Sequence, residues 1–198
     1  MKIEYMRHYS GHLGREMEFK VYGHGGKPVI FIPCQGGRYF DFENETLGAI
    51  TGKGKLYMDW LTGWLKPHID RNYRTLPDRD NTIICGSSMG GLMALYGAVC
   101  YNRVFQRAAC LSSSVWIDAD QVLQMIAGAK MKNDTCIYMD YGSVEIHNHK
   151  ENASALIAVT QLLLTKRADL TFRIVPGGTH CEASWEQQIP VFMDCLKL

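Results

Sequence analysis

The sequence predicts an α/β fold, a mainly parallel sheet with helices on both faces and an antiparallel hairpin at its start. Three observations carry this. Short, continuous apolar runs recur along the chain and read as strands buried on both faces. Stretches with apolar residues at helical spacing alternate with those runs. The N-terminal residues instead alternate apolar and polar side chains about a glycine-containing turn. With 198 residues, 46% of them hydrophobic and 21% charged, the chain fits one domain over residues 1–198 around a single core.

Taken in order, residues 2–9 and 15–23 form the hairpin, joined by Ser10-Gly11-His12-Leu13-Gly14. Pro28 to Pro33 is an apolar strand that ends in the glycine-rich loop Cys34-Gln35-Gly36-Gly37. Residues 55–71 place Leu56, Trp60, Leu61, Trp64, Leu65 and Ile69 at helical spacing, with Pro67 expected to kink or stop the helix. After a polar loop at 72–81, Asn81 to Cys85 is a second buried strand and Leu92 to Tyr101 a helix. Ala108 to Leu111 is a strand ending in Ser112-Ser113-Ser114, and residues 119–127 are a short helix. Thr135 to Asp140 is a strand, Glu151 to Arg167 a helix and Leu170 to Val175 the last strand. Trp185, Ile189, Phe192, Met193 and Leu196 give a C-terminal helix its apolar face. No repeats, low-complexity tracts or linkers break the pattern.

Charge and cysteine usage narrow the function classes. Lys and Arg number 21 against 20 Asp and Glu, and no basic stripe of the nucleic-acid-binding kind is present. The N-terminus lacks the apolar core of a signal peptide, and the longest apolar runs are too short or too polar to span a bilayer. The seven cysteines form no C-x-x-C pair, so neither a zinc knuckle nor a thioredoxin-type motif is expected. Free thiols in a reducing, cytoplasmic compartment explain them. The apolar hairpin offers an edge for self-association, which makes a homo-oligomer a further expectation.

The chemistry centres on Gly86-Ser87-Ser88-Met89-Gly90, a G-x-S-x-G motif with Ser88 in the middle. It lies between a buried strand and a helix, as the nucleophile elbow of an α/β-hydrolase must. Small residues on either side permit the tight turn that lifts the hydroxyl above the sheet. A serine hydroxyl needs a base. In this class the chain order is serine, acid, histidine, which disfavours His8, His12, His24 and His68; His147 and His149 flank a turn, and His180, in the loop at the C-terminal end of the last strand, is the expected base. The acid follows the strand ending near residue 140; Asp140 and Glu145 both fit, and spacing does not choose between them. An oxyanion hole needs two backbone N–H groups, assigned to Met89, next to the serine, and Gln35, in the glycine loop. Gly36 and Gly37 let substrate approach the backbone. Tyr39, Phe40, Phe42 and Trp116 either wall a substrate pocket or belong to the core.

The chain resembles the esterase D-like family of α/β-hydrolases, which includes S-formylglutathione hydrolases, enterobactin-type esterases, feruloyl esterases and mycolyltransferases. The resemblance covers most of the chain and rests on five segments: Phe31 to Gly37, Gly86 to Gly91, Leu111 to Ser114, Asp140 to Glu145 and Gly177 to His180. It implies Ser88 and His180 in the roles just given, and Glu145, last of the D-x-G-x-x-[D/E] run, as the acid, with Asp140 shaping the loop. It also implies a serine carboxylic-ester hydrolase acting on a small-molecule ester through an acyl-enzyme, with no metal or organic cofactor. An acyltransferase with the same machinery, or a fold-preserving binding protein with weakened activity, are the alternatives. One departure stands out. Family members carry a further helix and strand where this chain has only Glu43 to Lys55, with Thr46 to Thr51 strand-like, so one strand-helix unit is expected to be missing.

Overall fold

The computed structural model describes residues 2–34, 53–145 and 149–198. Its elements are β1 (Ile3–Ser10), β2 (Arg15–Tyr22), β3 (Gly25–Gly26), β4 (Val29–Ile32), α1 (Gly54–Trp60), α2 (Lys66–Asn72), β5 (Arg74–Thr75), β6 (Ile83–Ser87), α3 (Met89–Cys100), β7 (Arg107–Leu111), α4 (Ala119–Gly128), β8 (Cys136–Gly142), α5 (His149–Thr165), β9 (Asp169–Val175), α6 (Glu182–Glu186) and α7 (Ile189–Cys195). A five-stranded sheet in the order β4-β6-β7-β8-β9, parallel throughout, forms the centre. Side chains alternate across it. Ile84, Ala108, Cys110, Ile137 and Met139 pack on one face with residues of α1, α3, α4 and α5. Ile83, Cys85, Ala109, Leu111 and Tyr138 pack on the other with Trp185, Phe192 and Leu196. All five residues of β6 are buried, as a central parallel strand requires.

Four expectations need correction. Pro28 to Pro33 is not buried on both faces. It holds β4, the outermost strand of the sheet among the described residues, whose Val29 and Phe31 are 49% and 50% exposed. An apolar run reports hydrophobicity, whereas edge position depends on which distant segments pair beside it. The hairpin does not extend the main sheet either. Among the described residues, β1 and β2 pair only with each other, from Ile3↔Tyr22 to Ser10↔Arg15, and form a separate two-stranded sheet. The hairpin is held by packing: Met17 and Phe19 are buried, His8 stacks on Trp64 with centroids 3.3 Å apart, and the Trp60 indole donates to His8 Nδ1 at 3.3 Å. That bond needs an unprotonated Nδ1, and burial, with His68 nearby, holds the His8 pKa below its ordinary value.

Pro67 does not stop its helix. A π-helical turn over Leu61–Leu65, in which the Lys66 N–H reaches back to the Leu61 carbonyl, joins α1 to α2, and the proline falls at the start of α2. The C-terminal helix, expected to be continuous, is two: α6 and α7 are separated at Gln187 and Gln188, just ahead of Pro190 in the first turn of α7. The polar loop at 72–81 also holds β5, which pairs in parallel with β3. The expected loss of a strand-helix unit falls largely on residues 35–52, which lie outside the described residues, as does the strand-like Thr46 to Thr51. Among the described residues, no strand pairs with the outer edge of β4.

Candidate active site

Strand register sets up the site. The pairs Ser87↔Leu111 and Leu111↔Asp140 bring the C-terminal ends of β6, β7 and β8 level, the edge of a parallel sheet where ligands bind. Ser88 follows β6 with φ 57° and ψ −119°, a backbone few non-glycine residues adopt. The turn is held by Ser88 N–H donating to the Leu111 carbonyl at 2.9 Å and by the Ser88 carbonyl accepting from Leu92 N–H and Ser114 N–H. Two neighbours must be glycine. A Cβ on Gly90 would lie 2.1 Å from the Ile32 carbonyl oxygen, and one on Gly86 would lie 2.4 Å from the carbonyl oxygen of Gly90.

A second pair of backbones meets at the far strands. Gly142 and Gly178 touch so closely that a Cβ on Gly142 would lie 2.3 Å from the Gly178 carbonyl oxygen. Val144 N–H donates to that same oxygen at 2.9 Å, and Ser143 N–H donates to the Val175 carbonyl at 2.9 Å. The turn after β8 is thus stitched to the turn after β9, which brings Glu145 beside His180.

Ser88 Oγ lies 2.9 Å from His180 Nε2, and His180 Nδ1 lies 2.9 Å from Glu145 Oε2. A carboxylate only accepts, so Nδ1 carries the imidazole proton and Nε2 is free to accept from the serine. The Glu145 side chain is 1% exposed, and its Oε1 accepts the Gly142 N–H at 2.7 Å and the Ser112 hydroxyl. Ser114 Oγ stands 3.2 Å from Ser88 Oγ on the other side.

Asp140 faces elsewhere. Its carboxylate accepts the Ser112 N–H at 3.0 Å and the Tyr138 hydroxyl at 3.0 Å, and Arg173 reaches that hydroxyl in turn. Burial pushes its pKa up to about 6, against the lowering effect of its donors. In the unfolded chain the group ionises near pH 4, so folding favours its protonated form. Its contribution is therefore full below about pH 4 and lost as the pH rises through about 6. Asp140→Asn has no such proton to lose. Relative to the native chain, the variant is expected to gain on the order of 2 kcal/mol between pH 4 and pH 7 in urea unfolding. Parallel stability curves for the two proteins would contradict this.

Met89 is the first residue of α3, where helix geometry leaves the backbone N–H without an intrahelical acceptor. Trp116 lies two residues past Ser114 and is 39% exposed, so it is not part of the core. Gln35, Gly36, Gly37, Tyr39, Phe40 and Phe42 lie outside the described residues. All seven cysteines are free thiols, and Cys34 donates to Glu182 Oε1 at 3.0 Å. Among the described residues, no helix is long and apolar enough to cross a membrane. Sequence reasoning missed Ser112 and Trp185. The first was read only as a strand end and the second only as part of an apolar helix face.

A serine hydroxyl raised above a parallel sheet within reach of an imidazole is the arrangement around which α/β-hydrolases are built, and the molecule is a serine hydrolase of that class. Within the class, the chain belongs to the esterase family of carboxylic-ester hydrolases: the family model described as "Putative esterase" matches residues 10–193. A search of the curated proteins found no match. Among solved structures, the chain is similar to the enterobactin esterase of Shigella flexneri, at TM-score 0.76 and 15% identity, covering 100% of this chain and 61% of that one. It is similar to S-formylglutathione hydrolase of Staphylococcus aureus at TM-score 0.69 and 12% identity, covering 99% and 100%. A ferulic acid esterase of Anaeromyces mucronatus matches at TM-score 0.71 and 16% identity, covering 96% and 89%. At such identities the likeness is one of fold.

Proposed function

We propose that the protein, acting as one domain, hydrolyses a small-molecule carboxylic ester through an acyl-enzyme on Ser88. The observation that carries this reading is the unbroken hydrogen-bonded line from Ser88 Oγ through His180 to Glu145. His180 Nε2 takes the serine proton as Oγ adds to the ester carbonyl. The oxyanion that forms is held by the Met89 N–H and by the Gln35 N–H from the glycine loop. The intermediate collapses, the ester C–O bond breaks, and the imidazolium returns its proton to the leaving alcohol. Water then enters, gives its proton to His180 and adds to the acyl carbonyl, which releases the acid and restores Ser88. Glu145 keeps the imidazole in the tautomer this sequence needs and stabilises its charged form. On the sequence reading, Gly36, Tyr39 and Trp116 are assigned to the substrate pocket.

A fluorophosphonate probe tests the reading directly. Intact-mass spectrometry is expected to show one adduct per chain, and peptide mapping to place it on Ser88. No adduct, or an adduct on Ser112 or Ser114 instead, would contradict it.

A further inference from the structure

We propose that Ser112 and Trp185 form a positioning pair that fixes Glu145 and, through it, sets the basicity of His180. The proposal rests on the Ser88-His180-Glu145 reading above and extends it to two residues outside that triad.

Backbone geometry gives the first observation. Ser112 directly follows β7 with φ 42°, in the left-handed region. That conformation costs a serine energy which glycine would not incur. It is held from Asp140, whose main-chain carbonyl and Oδ1 both accept the Ser112 N–H, at 3.2 and 3.0 Å. A serine kept where glycine fits better implies a use for the hydroxyl.

Hydrogen-bond accounting gives the second. Ser112 Oγ has one proton and two neighbours, Trp185 Nε1 at 2.8 Å and Glu145 Oε1. An indole N–H can only donate, and a carboxylate can only accept. The single Ser112 proton therefore has one place to go, toward Glu145. The polarity of the chain is fixed: Trp185 donates to Ser112, and Ser112 donates to Glu145. The carboxylate then holds three donors, from Gly142, Ser112 and His180.

Trp185 adds a third observation. Its ring stands nearly perpendicular to the His180 imidazole, at 85° with centroids 5.0 Å apart. One side chain thus orders the hydroxyl behind the carboxylate and walls the imidazole in front of it.

The electrostatic consequence has a definite sign. Each donor on Glu145 draws negative charge away from the oxygen facing His180. Removing the Ser112 hydroxyl leaves more negative charge on the oxygen facing His180, which favours the imidazolium. Among the described residues, the other ionisable groups around the pair include Asp140, behind the Ser112 backbone, Arg173, which reaches Asp140 through Tyr138, Tyr141, whose ionisation Glu145 opposes, and Glu182 and Cys181 beside His180.

Ser112→Gly is the informative variant, because it deletes the hydroxyl and relieves the backbone. Expected are a fall in kcat of about tenfold, a KM within about twofold of the native value, and an acidic limb of kcat/KM moved up by about half a unit. Trp185→Phe keeps a ring and deletes the donor, and should lower kcat by about threefold. Because the two act in series, the double variant should be no slower than Ser112→Gly alone. An unmoved acidic limb overturns the proposal, as do additive losses in the double variant. So does unfolding of both single variants at ambient temperature, which would make the pair purely structural. Failure of the underlying reading would show first in the native chain, as absent fluorophosphonate labelling.

Discussion

Ser88→Ala is expected to lower kcat by about 10⁶-fold on an activated ester, while KM changes little. Alanine has no atom to form the acyl bond, and the buried hydroxyls nearby are not substitutes. Ser114 Oγ, 3.2 Å from Ser88 Oγ, has no imidazole bond among those seen, and Ser112 has its proton committed to Glu145. The residual rate would report what the oxyanion donors and substrate binding supply on their own. The same position offers a second readout. At φ 57° alanine is as strained as serine, whereas glycine is not. Ser88→Gly is therefore expected to be just as inactive yet more stable than Ser88→Ala, by about 1 kcal/mol in thermal unfolding. Equal stability of the two would show that the elbow stores no strain. Retained turnover in either would remove Ser88 from the mechanism.

The second large effect is expected at Glu145. Glu145→Gln keeps the side-chain shape but replaces a pure acceptor with a group that can also donate. His180 is then free to hold its proton on Nε2, the nitrogen that must accept from Ser88. A loss of about 10⁴-fold in kcat is expected for this kind of tautomer error. Asp140→Asn should cost far less, because Asp140 faces Ser112 and Tyr138 rather than the imidazole. Comparing the two variants at one pH decides which carboxylate serves the base. Similar losses, or a larger loss at Asp140, would reverse the assignment.

The part of this site legible in the sequence was the part built from local signals. The apolar run from Asn81 to Cys85 abuts Gly86-Ser87-Ser88-Met89-Gly90, so strand, elbow and helix could be read as one unit. Spacing could not choose between Asp140, in the last part of β8, and Glu145, three residues beyond it. Their different surroundings come from the contact between Gly142 and Gly178, 36 positions apart in the chain. Family resemblance pointed to Glu145 where spacing was silent. Strand order was equally non-local. The same kind of apolar run produced a fully buried β6 and a half-exposed β4. Alternation revealed the hairpin, but not that it would stand apart from the main sheet, held by Met17, Phe19 and His8. Ser112 left no mark, because a positive φ at a serine has no sequence signature. Gln35, Gly36 and Tyr39 rest on the sequence and the resemblance alone.

The parallel order of the central sheet has a consequence for how activity is acquired as the chain is made. Parallel neighbours need a crossover between them, so each strand waits for a distant partner. Ser88 and His180 are separated by 92 positions. During synthesis the elbow and its helix can form once β4, β6 and β7 are available, since Leu111 and Ser114 hold the turn that raises the hydroxyl. No base can reach it until β8 and β9 have joined the sheet and their turns have been stitched together. A nascent or truncated chain therefore displays its serine but leaves it inert, and reactivity arrives with the last strand.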